Sequence, residues 1–293
     1  MFLNRFSHKP KMLQYFQKSI MAKKKTDTPV PSKNQFTETL FKLAHRFPLF
    51  QVFDDFLTMS IAACTQNPVT KLSHYEDEYV ETIVRYKDSD LRHEFPKAFA
   101  ALINEMEERV DSDQGNDVLG EFFEQHISNG RNGQFFTPYH ICKVMALLTH
   151  ADREYDSDAD RDRPLRILDP SCGSGRMLLA GSTVYGRGHE YYGIDVDRTC
   201  VKMAALNLFL NGIWHSEVMC ANALQPDDFV IAYRISLLPF GIFKIEEKEK
   251  SILWHLQKNS FRKPTHLAGS LITTPVAPFR EQPTDAGTQL DLF

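Results

Sequence analysis

From Phe36 to about Ile127, apolar residues recur at three- and four-residue spacing, the period of helices buried on one face. Leu49, Val52, Phe53, Phe56, Leu57 and Ile61 form one stripe, with Pro48 at the start of its helix. Tyr75, Tyr79 and Ile83, with Val80 and Val84, form a second. Phe99, Leu102, Ile103, Met106 and Val110 form a third, and Val118, Leu119, Phe122 and Phe123 a fourth. These stripes read as core and carry no chemistry. Gly130 and Gly133 then mark a turn. Thr137-Pro138 reads as a helix start, and Ile141, Val144, Met145 and Leu148 predict the buried face of the helix that follows.

Beyond residue 164 the period changes. Leu165–Leu168 predicts a short buried strand that runs into the turn Asp169-Pro170-Ser171-Cys172-Gly173-Ser174-Gly175, with a helix from about Arg176. Tyr191–Ile194 predicts a second strand ending at Asp195, Thr199–Leu210 a helix, and Glu217–Cys220 and Phe229–Ile235 two more strands. Strands alternating with helices over short links predict an α/β fold, a parallel sheet with helices on both faces. From Pro264 onward there are four prolines in thirty residues and no periodicity, which reads as a disordered tail.

Composition narrows the class. The 293 residues are 42% apolar and 25% charged, an ordinary globular mix with enough chain for a sizeable core. No apolar run approaches the ~20 residues of a membrane helix, and no secretory signal opens the chain, so the expectation is a cytoplasmic protein without a membrane. The five cysteines, Cys64, Cys142, Cys172, Cys200 and Cys220, show no CxxC pair and no Cys/His cluster; they read as reduced thiols, with no metal site. Asp156, Asp158, Asp160 and Asp162 alternate as in a calcium loop, but Arg161 and Ile167 stand where such a loop has Gly and Glu, so this is a surface loop.

Residues 1–34 hold eight Lys/Arg against one acid, which leaves the remainder at −11. So acidic a body is a poor lone DNA binder, because phosphate contacts supply most non-specific affinity. The basic leader reads as a solvated tail, with nucleic-acid contact as the alternative, and Met21-Ala22-Lys23-Lys24-Lys25 reads as a second candidate translation start.

In an open parallel sheet, ligands bind beyond the carboxyl ends of the strands. The Gly173-Ser174-Gly175 turn admits a ligand close to the backbone, and Asp195, twenty residues on, stands where an acid grips a ribose diol. The expected ligand is a nucleoside-containing cofactor. Leu178 occupies the place of a dinucleotide site's third small residue, and the Gly-Lys-Ser/Thr of a phosphate loop is absent. Asp169 beside the turn repels a pyrophosphate and suits a cationic amino acid, so S-adenosylmethionine fits better than NAD.

The turn Asp169–Gly175 resembles the cofactor motif of N6-adenine DNA methyltransferases. Gly133-Gln134-Phe135-Phe136-Thr137-Pro138 resembles the motif those enzymes place before it, and Asp117-Val118-Leu119-Gly120-Glu121-Phe122-Phe123 a helix preceding that motif in one branch. Together they are similar to the modification subunit of type I restriction–modification systems, over about residues 36–235. The resemblance implies a helical domain (36–130) and a Rossmann-like S-adenosylmethionine-binding sheet (131–262) that stops short of a full methyltransferase sheet, between the basic leader (1–35) and the disordered tail (263–293) read from composition. It implies that Gln134, Phe135, Phe136, Thr137 and Pro138 line the cofactor's methionine end. Asp169, Pro170, Ser171, Cys172, Gly173, Ser174 and Gly175 then surround its amino acid and sulfonium, and Asp195 takes the ribose hydroxyls. Asn222 stands where the family usually has an Asp facing adenine, with a loop cap as the competing reading.

The family's catalytic signature is a polar residue, two prolines and an aromatic after the fourth strand. The polar side chain and a proline carbonyl accept the adenine amine's N–H bonds, and the aromatic stacks on the flipped base. Here Pro239-Phe240 match the last two places, Leu237 takes the polar place, and Ser236 fits only with a one-residue shift. The implied function is adenine-specific DNA methylation of restriction–modification type, with DNA reached through another subunit or a specificity subunit. The alternatives are an impaired relative that binds S-adenosylmethionine, DNA-associated partners or both without methylating, and a methyltransferase of another substrate. Finally, Gln289-Leu290-Asp291-Leu292-Phe293 resembles the pentapeptide by which bacterial proteins bind the DNA sliding clamp, with Leu292 and Phe293 as apolar anchors.

Overall fold

The structure, a computed structural model, describes residues 34–65, 75–87, 90–109, 115–128, 135–151, 163–225 and 227–262. The basic leader, Gln134, most of the acidic segment after residue 151, and the terminal Gln289–Phe293 lie outside the described residues.

The first stretch is helical: α1 (Gln35–Ala44), α2 (Leu49–Cys64), α3 (Glu76–Val84), α4 (Glu94–Arg109) and the short α5 (Val118–Phe123), which runs on as a π-helical turn over Glu124–Ser128. The periodic stripes bury as expected in α2, α4 and α5: Val52, Phe53, Phe56, Leu57, Leu102, Met106, Leu119 and Phe122 are all nearly inaccessible. On α3 only part of the stripe is covered, since Tyr79 and Ile83 pack against the core while Val80 and Val84 face solvent.

A five-stranded sheet follows, in the order β1 (Arg166–Asp169), β2 (Glu190–Asp195), β3 (Ser216–Ala221), β4 (Phe229–Ser236), β5 (Gly241–Ile245). β1, β2 and β3 are parallel, linked through α7 (Arg176–Tyr185) and α8 (Arg198–Leu210). The expectation of an all-parallel sheet is corrected beyond β3: β4 is antiparallel to β3, and β5 to β4. The reason is link length. A parallel crossover needs a dozen or more residues, whereas only residues 222–228 join β3 to β4. β1 was also expected to be buried, yet it is the sheet's edge strand, and Leu168 is 52% exposed.

One face of the sheet joins the helical segment in a single core. Phe53, Phe56, Leu119 and Phe123 belong to the same cluster as Tyr191, Val201, Val218, Tyr233 and Ile242. The opposite face, with Tyr192, Ile194, Met219, Ala232 and Ile245, is covered by Leu253 and Trp254 of α9 (Ile252–Arg262). Glu217, 1% exposed, anchors that helix: its carboxylate accepts from Ser251 Oγ (2.6 Å), Leu253 N (3.0 Å) and Arg234 Nη2 (2.9 Å). An acceptor of this kind satisfies backbone donors left open at a helix start. Among the described residues no single helix is long and apolar enough to cross a membrane, and the five cysteines are free and buried.

The remaining helix, α6 (Tyr139–Ala151), packs beside α7 through buried Cys142 and Ala146, and Tyr185 Oη donates to the Ala146 carbonyl (2.9 Å). The face expected to be buried is the open one: Ile141 is 43%, Val144 50%, Met145 47% and Leu148 62% exposed. The helix packs on α7 through its small side chains, and no partner covers the larger apolar face among the described residues. The expected outcome is that Leu148→Gln changes unfolding free energy by less than about 0.5 kcal/mol. Leu119→Ala, which opens the shared core, is expected to cost about 2–5 kcal/mol. Urea denaturation of both variants checks this, and an equally large loss at Leu148 would show that its stripe is covered.

Candidate functional site at the carboxyl ends of the parallel strands

Parallel register aligns the three strand ends. Asp169, the last residue of β1, lies level with Gly193 of β2, and Asp195, the last of β2, level with Cys220 of β3; Asn222 follows the end of β3. The turn from Pro170 to Gly175 connects β1 to α7 and is pinned at each step. Cys172 N donates to the Ile194 carbonyl (2.8 Å), Gly175 N to the Cys172 carbonyl (2.7 Å), and Gly173 N to Asp195 Oδ2 (2.8 Å). Gly173 (φ +52°) and Gly175 (φ +84°) both require glycine: a Cβ at the first would sit 2.7 Å from the Phe136 ring, and at the second 3.3 Å from Ala204.

Asp195 Oδ1 accepts from Asp197 N (2.9 Å), and Asp169 Oδ1 from Ser171 N (3.0 Å). Each carboxylate oxygen can accept more than one hydrogen bond, so both acids keep acceptor capacity. Burial pushes both carboxyls up from their ordinary range, against the pull of these backbone donors, and Asp195 raises Asp169 further by repulsion. Neither acid pairs with a cation among the described residues. Two half-buried, like-charged acids around a glycine turn form a site that a cationic ligand relieves.

Phe136, Thr137 and Pro138 lie above the turn. Phe136 N donates to Glu124 Oε1 (3.3 Å), its ring stacks on Phe123 at 6.0 Å, and the Arg176 guanidinium sits 5.5 Å from its centroid. Arg176 Nη1 also donates to the carbonyls of Phe136 (3.4 Å) and Thr137 (3.3 Å). Phe135 is 76% exposed. The structure thus brings Phe136–Pro138, Asp169–Gly175 and Asp195 together. Asn222 is beside them, but its Oδ1 accepts from Leu224 N (3.0 Å), the loop-cap arrangement.

Ser236, Pro239 and Phe240 are not brought there. β4 runs antiparallel, with Ile235 level with Ser216 at the start of β3, so Ser236 lies at the amino ends of the parallel strands. Phe240 packs instead on Phe209 (5.0 Å) and Trp214 (6.3 Å). Two exposed apolar side chains stand beside these strand ends: Val196, 72% exposed just past Asp195, and Leu224, 80% exposed two past Asn222. No cluster of three or more metal-ligating side chains exists among the described residues.

The raised carboxyls tie this site to stability. A group that binds protons more tightly folded than unfolded contributes most below its unfolded value, and that contribution is lost as pH rises through its folded one. Asp169→Asn, which retains an acceptor for Ser171 N, is therefore expected to melt at a higher temperature than the native protein at pH 7. The difference should vanish as pH drops below the ordinary carboxylate range. Thermal melts across that interval check it; a lower melting temperature at pH 7 would contradict the burial cost.

Residues 114–255 match the N-6 DNA Methylase family. The chain is 24% identical over 186 residues to the type II restriction enzyme and methyltransferase RM.BcgI of Heyndrickxia coagulans, covering 56% of this chain and 28% of that protein. It is 26% identical over 143 residues to the type I restriction enzyme MpnII methylase subunit of Mycoplasma pneumoniae, covering 45% and 25%. It is 30% identical over 118 residues to the type II methyltransferase M.MamI of Microbacterium ammoniaphilum, covering 35% and 32%. The chain thus spans less than a third of the length of these relatives. Among solved structures it is similar, at 14% identity and a TM-score of 0.31, to the type I restriction–modification methyltransferase subunit of Streptococcus thermophilus, covering 72% of this chain and 58% of that one. On the sequence matches, residues 114–255 are similar to the N6 DNA methyltransferases, among them a type I methylase subunit.

Proposed function

We propose that the carboxyl ends of β1 and β2 hold S-adenosylmethionine, and that the protein serves adenine-specific DNA methylation of restriction–modification type. The observation that carries this is the pair Asp169 and Asp195, half-buried acids without a cation partner among the described residues, on adjacent strand ends around a positive-φ glycine turn. The bound cofactor supplies an electrophilic methyl group on a sulfonium. Asp169 and the Ser171–Gly175 turn receive its positively charged amino-acid end, and Asp195 uses its remaining acceptor sites for the ribose hydroxyls. Val196 and Leu224 offer apolar cover for the adenine ring. Phe136, held by Glu124 and Arg176, walls the methionine end against water.

The described residues at this end include no polar acceptor followed by prolines and an aromatic. In this reading the contacts to a target adenine lie outside the described residues. DNA and a specificity subunit are the partners in this reading, and Gln289–Phe293, read from sequence alone, adds the sliding clamp. The placement of Ser236, Pro239 and Phe240 at the far end of the sheet favours a second reading, in which the protein binds the cofactor without transferring its methyl group.

Calorimetry with S-adenosylmethionine is expected to give saturable binding that Asp195→Ala weakens roughly 10- to 100-fold, as about 1.5–3 kcal/mol for charge-assisted hydrogen bonds implies. Unchanged affinity in that variant would remove Asp195 from the site. Incubation with adenine-containing DNA and labelled cofactor then separates the readings: transfer supports the enzyme, and binding with no transfer above background supports the second.

A further inference from the structure

Asp117 comes from the helical segment, ahead of α5, yet its side chain lies under the glycine turn. It is 2% exposed, and its carboxylate accepts four hydrogen bonds. Oδ1 takes Gly120 N (2.9 Å) and Asn207 Nδ2 (2.7 Å); Oδ2 takes Ser174 Oγ (2.6 Å) and Arg176 Nε (2.7 Å). Ser174 is the residue between the two positive-φ glycines, and it is fully buried. Asn207 Nδ2 holds the same residue from α8, donating to the Ser174 carbonyl (2.9 Å). The approach is close enough that a Cβ on Gly120 would fall 2.2 Å from Asp117 Oδ2 and 2.4 Å from Ser174 Oγ.

The helix cap alone does not account for this arrangement. Capping α5 needs one acceptor for the Gly120 amide, and an asparagine or serine supplies it. The remaining three bonds go to groups that shape the ligand end of the sheet. Through Ser174 the carboxylate sets the floor of the turn. Through Arg176, whose Nη1 donates to both the Phe136 and Thr137 carbonyls, it sets the segment above the turn. Floor and roof are therefore referenced to one negative charge from outside the sheet.

We propose that Asp117 is a positioning residue of the cofactor site: its buried carboxylate holds Ser174 and Arg176 so that the Gly173–Gly175 turn and the Phe136–Thr137 wall are preset for the ligand. This deepens the cofactor reading above and rests on it for the identity of the ligand. It makes the helical segment part of the binding site without touching the ligand. Asp117→Asn is the isosteric test, because it retains one acceptor for Gly120 N but offers an NH2 group in place of an oxygen and removes the charge facing Arg176.

The experiment uses the full chain in four forms: native, Asp117→Asn, Ser174→Ala, and Leu119→Ala as a control that destabilises the same helix through packing alone. Calorimetric titration with S-adenosylmethionine is expected to show at least a tenfold loss of affinity in Asp117→Asn and a smaller loss in Ser174→Ala. Leu119→Ala should bind within twofold of native at a temperature where it remains folded. Hydrogen exchange without ligand is read on the peptide covering residues 170–179. Exchange there should quicken in Asp117→Asn more than in the rest of the sheet, and in Leu119→Ala no more than elsewhere. Native affinity in both Asp117→Asn and Ser174→Ala overturns the proposal while leaving the cofactor reading intact. Absence of binding by the native protein overturns the cofactor reading, and unchanged local exchange in Asp117→Asn then overturns this one separately. If Asp117→Asn fails to fold, Ser174→Ala decides, since it removes only one of the four bonds.

Discussion

A carboxylate withdrawn from water must find its donors within the protein, and that requirement fixes how the two parts of this molecule meet. Asp117 gathers a backbone amide of its own helix, a hydroxyl from the glycine turn, a guanidinium from α7 and an amide from α8. Taking a charge out of water costs several kcal/mol, which good geometry and a full set of partners offset. Each of those partners is thereby committed to one position. The aromatic stacking of Phe53 on Phe122, at 5.1 Å, and the packing of Leu119 in the common core supply apolar adhesion around the polar centre. Adhesion of that kind is non-directional; the carboxylate adds orientation.

The residues that predicted best were those whose role is local. The turn Asp169–Gly175, the acid ending β2 and the helices from Arg176 and near Thr199 follow from short-range rules about glycine, strand ends and helical period, and the structure has them within a residue or so. Strand direction obeys no such rule. Phe229–Ser236 has the composition of a strand whichever way it runs, and the number of residues between it and β3 carried the information. A parallel strand there would carry Ser236, Pro239 and Phe240 to the end that bears Asp169 and Asp195, whereas the antiparallel one carries them to the opposite end.

The stripe on α6 teaches the complementary point. A hydrophobic period identifies a face, while burial requires a second surface, which periodicity does not encode. Here the helix uses Cys142 and Ala146 against α7 and leaves Ile141, Val144, Met145 and Leu148 open. Asn222 shows a similar limit at the scale of one side chain, since a strand-end position near the ligand is equally a position from which to cap a loop. Asp117 was visible in sequence as part of the segment Asp117–Phe123; its four partners lie at positions 120, 174, 176 and 207, a spread only the folded chain brings together.

The place of β1 at the sheet's border divides the site mechanically. β2, which ends in Asp195, is hydrogen-bonded on both sides, whereas β1, which ends in Asp169, has β2 on one side and, among the described residues, no strand on the other. Edge backbone opens more readily than backbone held from both sides. The end of the site built on Asp195 is therefore rigid, and the end built on Asp169 is compliant. A ligand spanning both meets one surface already in place and another that must be stiffened. The entropy of that stiffening falls on the half where the charge is concentrated, so electrostatic attraction at Asp169 is set against the loss of freedom of the strand that carries it.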